Sequence, residues 1–156
     1  MNAELSDKIR ALLADCSTLS LATVSAEGQP MACNLFFVAE PDLALIFVTG
    51  PRSRHSLNLS HNPAAAVTIH RLTWSHVEIS GVQMEGRVQR LPAGSLRKAA
   101  LELYIGKFRF VEKEFADDVS RSELCRFRPN WMRLIDNSVR FGYQEEFRSA
   151  AAGDPS

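Results

Sequence analysis

The sequence lacks most of the features that assign a protein quickly. Its three cysteines, Cys16, Cys33 and Cys125, are odd in number and far apart. Without a C-x-x-C pair they build neither a disulfide framework nor a zinc site, so no metal is expected and a reducing cytoplasm is the expected setting. No stretch approaches the roughly 18 consecutive apolar residues of a membrane span. Met1–Leu5 also lack the basic segment and apolar run of a secretion signal. Net charge is absent: 18 Lys+Arg balance 18 Asp+Glu over 156 residues. Overall charge therefore gives no reason to expect a nucleic-acid or membrane-surface partner. No G-x-S-x-G, H-E-x-x-H, P-loop or G-x-G-x-x-G occurs, which removes the commonest nucleophile, metalloprotease and nucleotide signatures. Repeats and low-complexity runs are missing as well. The small, polar tail 149–156 reads as disordered, leaving residues 1–148 as one domain.

What is present is a chain of short strands. Ser6 is placed to cap a helix over 6–15, whose Ile9, Leu12 and Leu13 fall at helical spacing. Leu19–Ser25 reads as a strand, followed by the turn Glu27-Gly28-Gln29-Pro30. Met31–Ala39 is a second strand with apolar residues on both faces, so both need cover: core on one side, a partner subunit, helix or cofactor on the other. Leu43–Thr49, Ala64–His70 and a long Val77–Leu91 follow, with a helix over 53–61 between the first two. In the long strand the apolar parity slips at Ser80-Gly81, which predicts a β-bulge there. Gly94–Lys107 reads as a helix with Leu96, Ala100, Leu103 and Tyr104 on one stripe, and a short helix is expected around Glu112–Asp118. Glu123–Phe127, Trp131–Ile135 and Ser138–Tyr143 close the chain. The expected fold is α+β: a mostly antiparallel β-barrel of six or seven strands with a few peripheral helices.

Local charge says more than net charge. Between Asp42 and Glu78 there is no carboxylate, while Arg52, Arg54, Arg71 and all four histidines fall there. At its centre Thr49-Gly50-Pro51-Arg52-Ser53-Arg54-His55 runs from a strand end into a helix start, where free N–H groups and the helix dipole favour an anion. Thr49, Ser53 and Arg54 would complete a phosphate cradle. The competing reading is a plain Ser53 cap with solvated arginines. His55 stands as either a ligand or a structural side chain. Cys33 reads more readily as a packed thiol than as a redox group. His61 reads as the end of its helix, and the Phe36-Phe37 pair and Trp131 as core or interface.

Residues 19–91 resemble the pyridoxamine-phosphate-oxidase-like FMN-binding split barrels. The resemblance rests on Gly28-Gln29-Pro30, Phe47-Val48-Thr49, Ser53-Arg54-His55, Asn62-Pro63 and Glu85-Gly86-Arg87-Val88-Gln89-Arg90-Leu91. A YhbP-like branch is closer still, sharing Cys33-Asn34-x-Phe36-x-Val38, Arg54-His55, Gly81-Val82-Gln83 and Asp136-Asn137 with Phe141-Gly142. The resemblance implies a homodimeric split β-barrel with two FMN molecules at the interface. It implies that Asn34, Leu35 and Phe36 present backbone groups to the flavin ring, and that Thr49, Ser53 and Arg54, with His55 beside them, hold the phosphate. Gln83 would reach the ring edge and Trp131 would form a wall from the other subunit. Where the oxidases carry a strand-two arginine, a lysine after Ser-Arg and a ring-contacting glutamine, this chain has Cys33, His55 and Gly81. Their arginine–histidine substrate motif is replaced by Arg140-Phe141-Gly142-Tyr143, which argues against pyridoxamine phosphate as substrate. The implied function is an FMN-dependent oxidoreductase acting on a small molecule. The alternative is a non-catalytic carrier of flavin, haem or another anionic ligand, or a dimeric scaffold whose cradle has decayed.

Overall fold

The computed structural model describes residues 3–114 and 116–148; the expected disordered tail 149–156 lies outside them. The elements in chain order are α1 (Ala3–Asp15), β1 (Thr18–Val24), β2 (Pro30–Ala39), β3 (Leu45–Thr49), α2 (Arg54–His61), β4 (Ala64–His70), β5 (Ser80–Arg90), α3 (Ser95–Lys107), α4 (Phe110–Glu114), α5 (Ala116–Arg121), β6 (Glu123–Asp136) and β7 (Gln144–Arg148). A 3-10 turn over His76–Glu78 precedes β5. All strand pairings are antiparallel. The order β3-β2-β1-β4-β5-β6-β7, with β3 also paired to β6, closes six strands into a barrel and leaves β7 as a flap on β6. The α+β split-barrel architecture expected above is the one observed.

Period-two alternation explains the barrel. Leu19 and Leu21 on β1, Phe37 on β2, Val67 and Ile69 on β4, and Val82, Met84 and Val88 on β5 point inward and are buried. Phe47 and Phe127 fill the centre, and α1 seals the barrel with Leu5, Ile9, Leu12 and Leu13. A second apolar layer lies outside, where Ala100, Tyr104, Phe108 and Val111 of the α3–α4 segment cover Val38, Ile46 and Leu124. Lys107 ties the layers together. Its ammonium donates to the Leu13 and Cys16 carbonyls at 3.3 and 2.6 Å and stands 4.4 Å from the Phe37 ring centroid. Burial lowers its pKa.

Several sequence expectations are corrected. The first helix begins at Ala3, so Ser6 lies inside it. The segment 77–79 is not strand: Val77 and Ile79 are exposed, and the apparent parity slip comes from the 3-10 turn. The bulge falls on the opposite strand, where Glu85 pairs with Trp131 but Gly86 with Pro129, leaving Asn130 extra. The two expected strands 123–127 and 131–135 are therefore one bent strand. On α3 only Ala100 and Tyr104 are buried, whereas Leu96 and Leu103 are exposed. Ser138–Tyr143 is a turn region, and the last strand starts at Gln144.

The bend at the bulge needs a residue without a side chain. A Cβ at Gly86 would sit 2.2 Å from the Arg128 carbonyl oxygen and 2.8 Å from the Phe127 ring, whereas one at Gly106 meets nothing within 4 Å. Gly86→Ala is expected to lower stability by about 1–3 kcal/mol or more, through forced displacement of β6. Gly106→Ala, near the end of α3, is expected to raise it by about 0.5–1 kcal/mol. Urea denaturation of the two variants checks both signs.

Candidate functional site

The strand-to-helix turn builds the centre of the site. Ser53 is the N-cap of α2, its hydroxyl accepting the Ser56 N–H at 3.3 Å. The first turn of the helix then leaves the N–H groups of Arg54 and His55 without intrahelical acceptors. Thr49, at the end of β3, lies 3.1 Å from the Ser53 hydroxyl and 3.3 Å from that of Ser56. His55 is buried and points back at these hydroxyls. Its Nε2 hydrogen-bonds Thr49 Oγ1 and lies 3.0 Å from Ser53 Oγ, while Nδ1 lies 3.4 Å from Cys33 Sγ. Of the predicted cradle residues, Thr49 and Ser53 are in contact, and His55 joins them. His55 is the hub that ties Thr49 and Ser53 together, and Cys33 is a half-buried partner of that hub. Arg54 remains exposed and makes no hydrogen bond or ion pair among the described residues.

The acid-free stretch does not stay free of acid in three dimensions. Arg71 pairs with Asp15 at 2.5 Å. Glu27, from the turn between β1 and β2, has its pKa lowered first by the Ser25 hydroxyl and further by the charges of His61 and Arg54. Burial raises the Cys33 pKa and lowers that of His55. Both groups are therefore neutral at pH 7, and no thiolate–imidazolium pair forms.

Asn34 and Phe36 face outward on β2, whereas Leu35 packs on the barrel core. Asn34 accepts the Ser20 hydroxyl proton at 2.7 Å. Register carries the outward row from Asn34 through Ser20, Thr68 and Gln83 to Arg133 and Glu146. The parallel row runs Ala32, Ala22, Ala66, Glu85, Trp131, Arg148. These rows floor an open groove of about 620 Å³. Gln83 lies three strand spacings from Asn34, about 14 Å along the sheet, and Trp131 four spacings from Ala32, about 19 Å. The structure thus brings Thr49, Ser53 and His55 together, with the exposed Arg54 in the same turn, and keeps Gln83 and Trp131 several strands away from Asn34 and Ala32 within one subunit. Trp131 donates to Glu146 at 3.3 Å, and Arg133 stacks on its ring.

Sequence reasoning missed Ser56, which joins the hydroxyl cluster, and Asn58, which donates to Thr23 Oγ1 at 3.0 Å and anchors α2 under the barrel. Helical spacing was the available signal, since 55, 56, 58 and 59 form the buried face of α2. It also missed a small apolar cleft of about 270 Å³ beside Val48, walled by Phe36, Tyr104 and Phe110.

The neutral hub has a consequence for stability. Because burial holds His55 below its ordinary 6.5, the unfolded chain takes up the proton first as pH falls. The stabilising contribution of neutral His55 is fully present above pH 6.5 and is lost as pH drops through the folded value. Urea midpoints measured from neutrality down to about pH 5 are expected to fall, and His55→Gln to flatten that part of the profile.

Comparison with known proteins agrees with this fold. Pyridoxine/pyridoxamine 5'-phosphate oxidase from Cupriavidus taiwanensis is 36% identical over 85 residues, covering 54% of this chain and 38% of that enzyme. The chain thus spans about two-fifths of the length of the curated relatives it matches. Among solved structures, a heme binding protein from Mycobacterium smegmatis superposes with TM-score 0.78 at 19% identity, over 95% of this chain and 59% of that one. The heme storage protein HutZ from Vibrio cholerae gives 0.59 at 18% identity, over 91% and 92%. The family model of pyridoxamine 5'-phosphate oxidase matches residues 5–136, and the chain belongs to that family.

Proposed function

We propose that the chain is an FMN-binding oxidoreductase acting on a small molecule, built as one domain over residues 1–148 and working as a cytoplasmic homodimer of the YhbP-like branch. The observation that supports this reading is the α2 N-terminus, where helix N–H groups and the Thr49 and Ser53 hydroxyls lie together and the exposed Arg54 occupies the first turn. A phosphate monoester fits that donor set. Next to it, the outward edge of β2 from Asn34 to Phe36 offers backbone and a flat apolar surface to a ring. Bound FMN would supply the hydride and electron chemistry. The protein's part is to anchor the phosphate, orient the ring along β2 and keep the phosphate end dry around His55.

A homodimer is the assembly that would unite the separated parts of the site. Gln83 and Trp131 can approach the Asn34–Phe36 edge only from a second copy. Apolar surface also asks for cover: Leu72, Trp74 and Phe141 are 86%, 99% and 80% exposed, on two loops tied together by Asn137. Asn137 donates to the His76 carbonyl at 2.8 Å and accepts the Gly142 N–H at 3.0 Å. No helix among the described residues is long and apolar enough to cross a membrane.

A second reading, a non-catalytic carrier of flavin, haem or another anionic ligand, is supported by the haem-binding and haem-storage proteins among the solved structures that share this fold.

An absorbance spectrum after adding FMN and desalting tests the cofactor, and turnover of reduced nicotinamide above the free-flavin rate separates enzyme from carrier. A protein that retains no flavin overturns the FMN reading. Arg54→Ala is expected to weaken FMN binding by about 1–3 kcal/mol, measured by fluorescence titration. Light scattering is expected to show a dimer at micromolar concentration, and a monomer would leave the site half built.

A further inference from the structure

Cys33 meets the candidate site from the barrel side. It lies on β2, half-buried against the core, and its Sγ is 3.4 Å from His55 Nδ1. That contact is its one side-chain hydrogen bond among the described residues. Burial keeps both partners neutral at pH 7, raising the thiol pKa and lowering that of the imidazole. A neutral imidazole carries a single N–H, and the bond made by one ring nitrogen decides which of the two holds it. Sulfur is a weak acceptor whereas a bare ring nitrogen is a good one, which favours S–H donation to Nδ1 over the reverse. With the thiol donating, the ring proton sits on Nε2 and faces Thr49 and Ser53.

The position of that proton decides what the hydroxyl cluster offers a ligand. Each hydroxyl has one proton to give and two lone pairs to fill. Thr49 Oγ1 contacts His55 Nε2, Ser53 Oγ at 3.1 Å and Ser56 Oγ at 3.3 Å, and Ser53 Oγ accepts the Ser56 N–H. With the ring proton on Nε2, Thr49 accepts from His55 and from the Ser56 hydroxyl and donates to Ser53. Both Ser53 lone pairs are then filled, by Thr49 and by the Ser56 N–H, and its own O–H has no acceptor inside the cluster. With the ring proton on Nδ1 the cluster holds one proton fewer. Nε2 then takes a proton from Thr49 or Ser53, and neither order leaves Ser53 a free O–H without breaking a contact. Thr49 and Ser56 are only 5% and 1% exposed, whereas Ser53 is half-buried. Ser53 is therefore the hydroxyl that can reach a ligand, and the His55 tautomer decides whether it arrives as a donor.

We propose that Cys33 is a positioning residue: its S–H holds the His55 proton on Nε2, and the relay through Thr49 presents the Ser53 O–H to a phosphate oxygen. The role rests on the proposed phosphate site at the α2 N-terminus and adds a rule for what that site accepts. A group with lone pairs alone, such as a phosphate oxygen, takes the outward proton, whereas an ammonium group at the same place meets another donor.

Nitrogen chemical shifts of the two His55 ring atoms, measured by NMR on the full chain at neutral pH without ligand, read the tautomer directly. The expected form is protonated at Nε2 and bare at Nδ1. Cys33→Ala removes the donor and is expected to populate the Nδ1-protonated form. Inorganic phosphate, titrated into the same samples, should then bind about three- to tenfold more weakly. Cys33→Ser puts an O–H donor in the same place and is expected to keep the original tautomer, with phosphate affinity within about twofold. Circular dichroism checks that both variants fold, and the tautomer of the unsubstituted chain stands as a test without them. A proton on Nδ1 in that chain overturns the proposal, as does Cys33→Ala with tautomer and phosphate affinity unchanged. The two readings fail separately. A chain whose tautomer follows Cys33 but which binds neither phosphate nor FMN keeps the relay and loses the phosphate site, whereas one that retains FMN with the proton on Nδ1 loses the role of Cys33 alone.

Discussion

Everything in this molecule hangs on β6 changing partners along its length. Its first half, Glu123–Phe127, pairs with β3 on one side and β5 on the other; its second half, Trp131–Ile135, stays on β5 but exchanges β3 for β7. A straight strand could not make that exchange. The extra residue Asn130 and the bare backbone of Gly86 turn it, and the turn closes the barrel. Closure places the end of β3, and with it Thr49, against the incoming helix α2. The ion pairs Arg126–Glu40 at 2.6 Å and Arg90–Glu123 at 2.9 Å hold the same seam from either side. Arg90 also reaches the Ser56 carbonyl and Ser60 hydroxyl of α2 at 2.8 Å, so the closing strands and the site helix share a support.

Around that helix the chain relies on hydrogen bonding between neutral side chains. An imidazole held neutral by burial joins a threonine, a serine and a thiol into one cluster. Such a cluster keeps its geometry without a ligand, whereas several unpaired cations there would repel one another.

How much of this was legible in the sequence depended on the range of the interaction. The β4 strand over Ala64–His70 and the Ser53 cap followed from local signals, strand alternation and cap chemistry. The segment 77–79 misled because two apolar residues at alternate positions look alike in an exposed turn and a strand; exposure decides, and exposure is tertiary. The bulge was assigned to the wrong strand because Ser80-Gly81 is a visible parity break. Gly81 is instead a close approach, where a Cβ would sit 2.9 Å from the Ile69 carbonyl oxygen. The Cys33–His55 contact spans 22 positions and depends on barrel closure, so neither residue's neighbours announce it. For the same reason His55 could not be told from a ligand.

Lys107 joins residues separated by 94 and 91 positions. Carbonyls at and just beyond the end of α1 thus receive their donor from α3, some ninety residues later. During synthesis, the N-terminal helix emerges long before the group that finishes it, and until then its exposed apolar stripe has no barrel to seal. The helix made earlier waits for a donor made much later, so the nascent chain carries that stripe uncovered at least until α3 has left the ribosome.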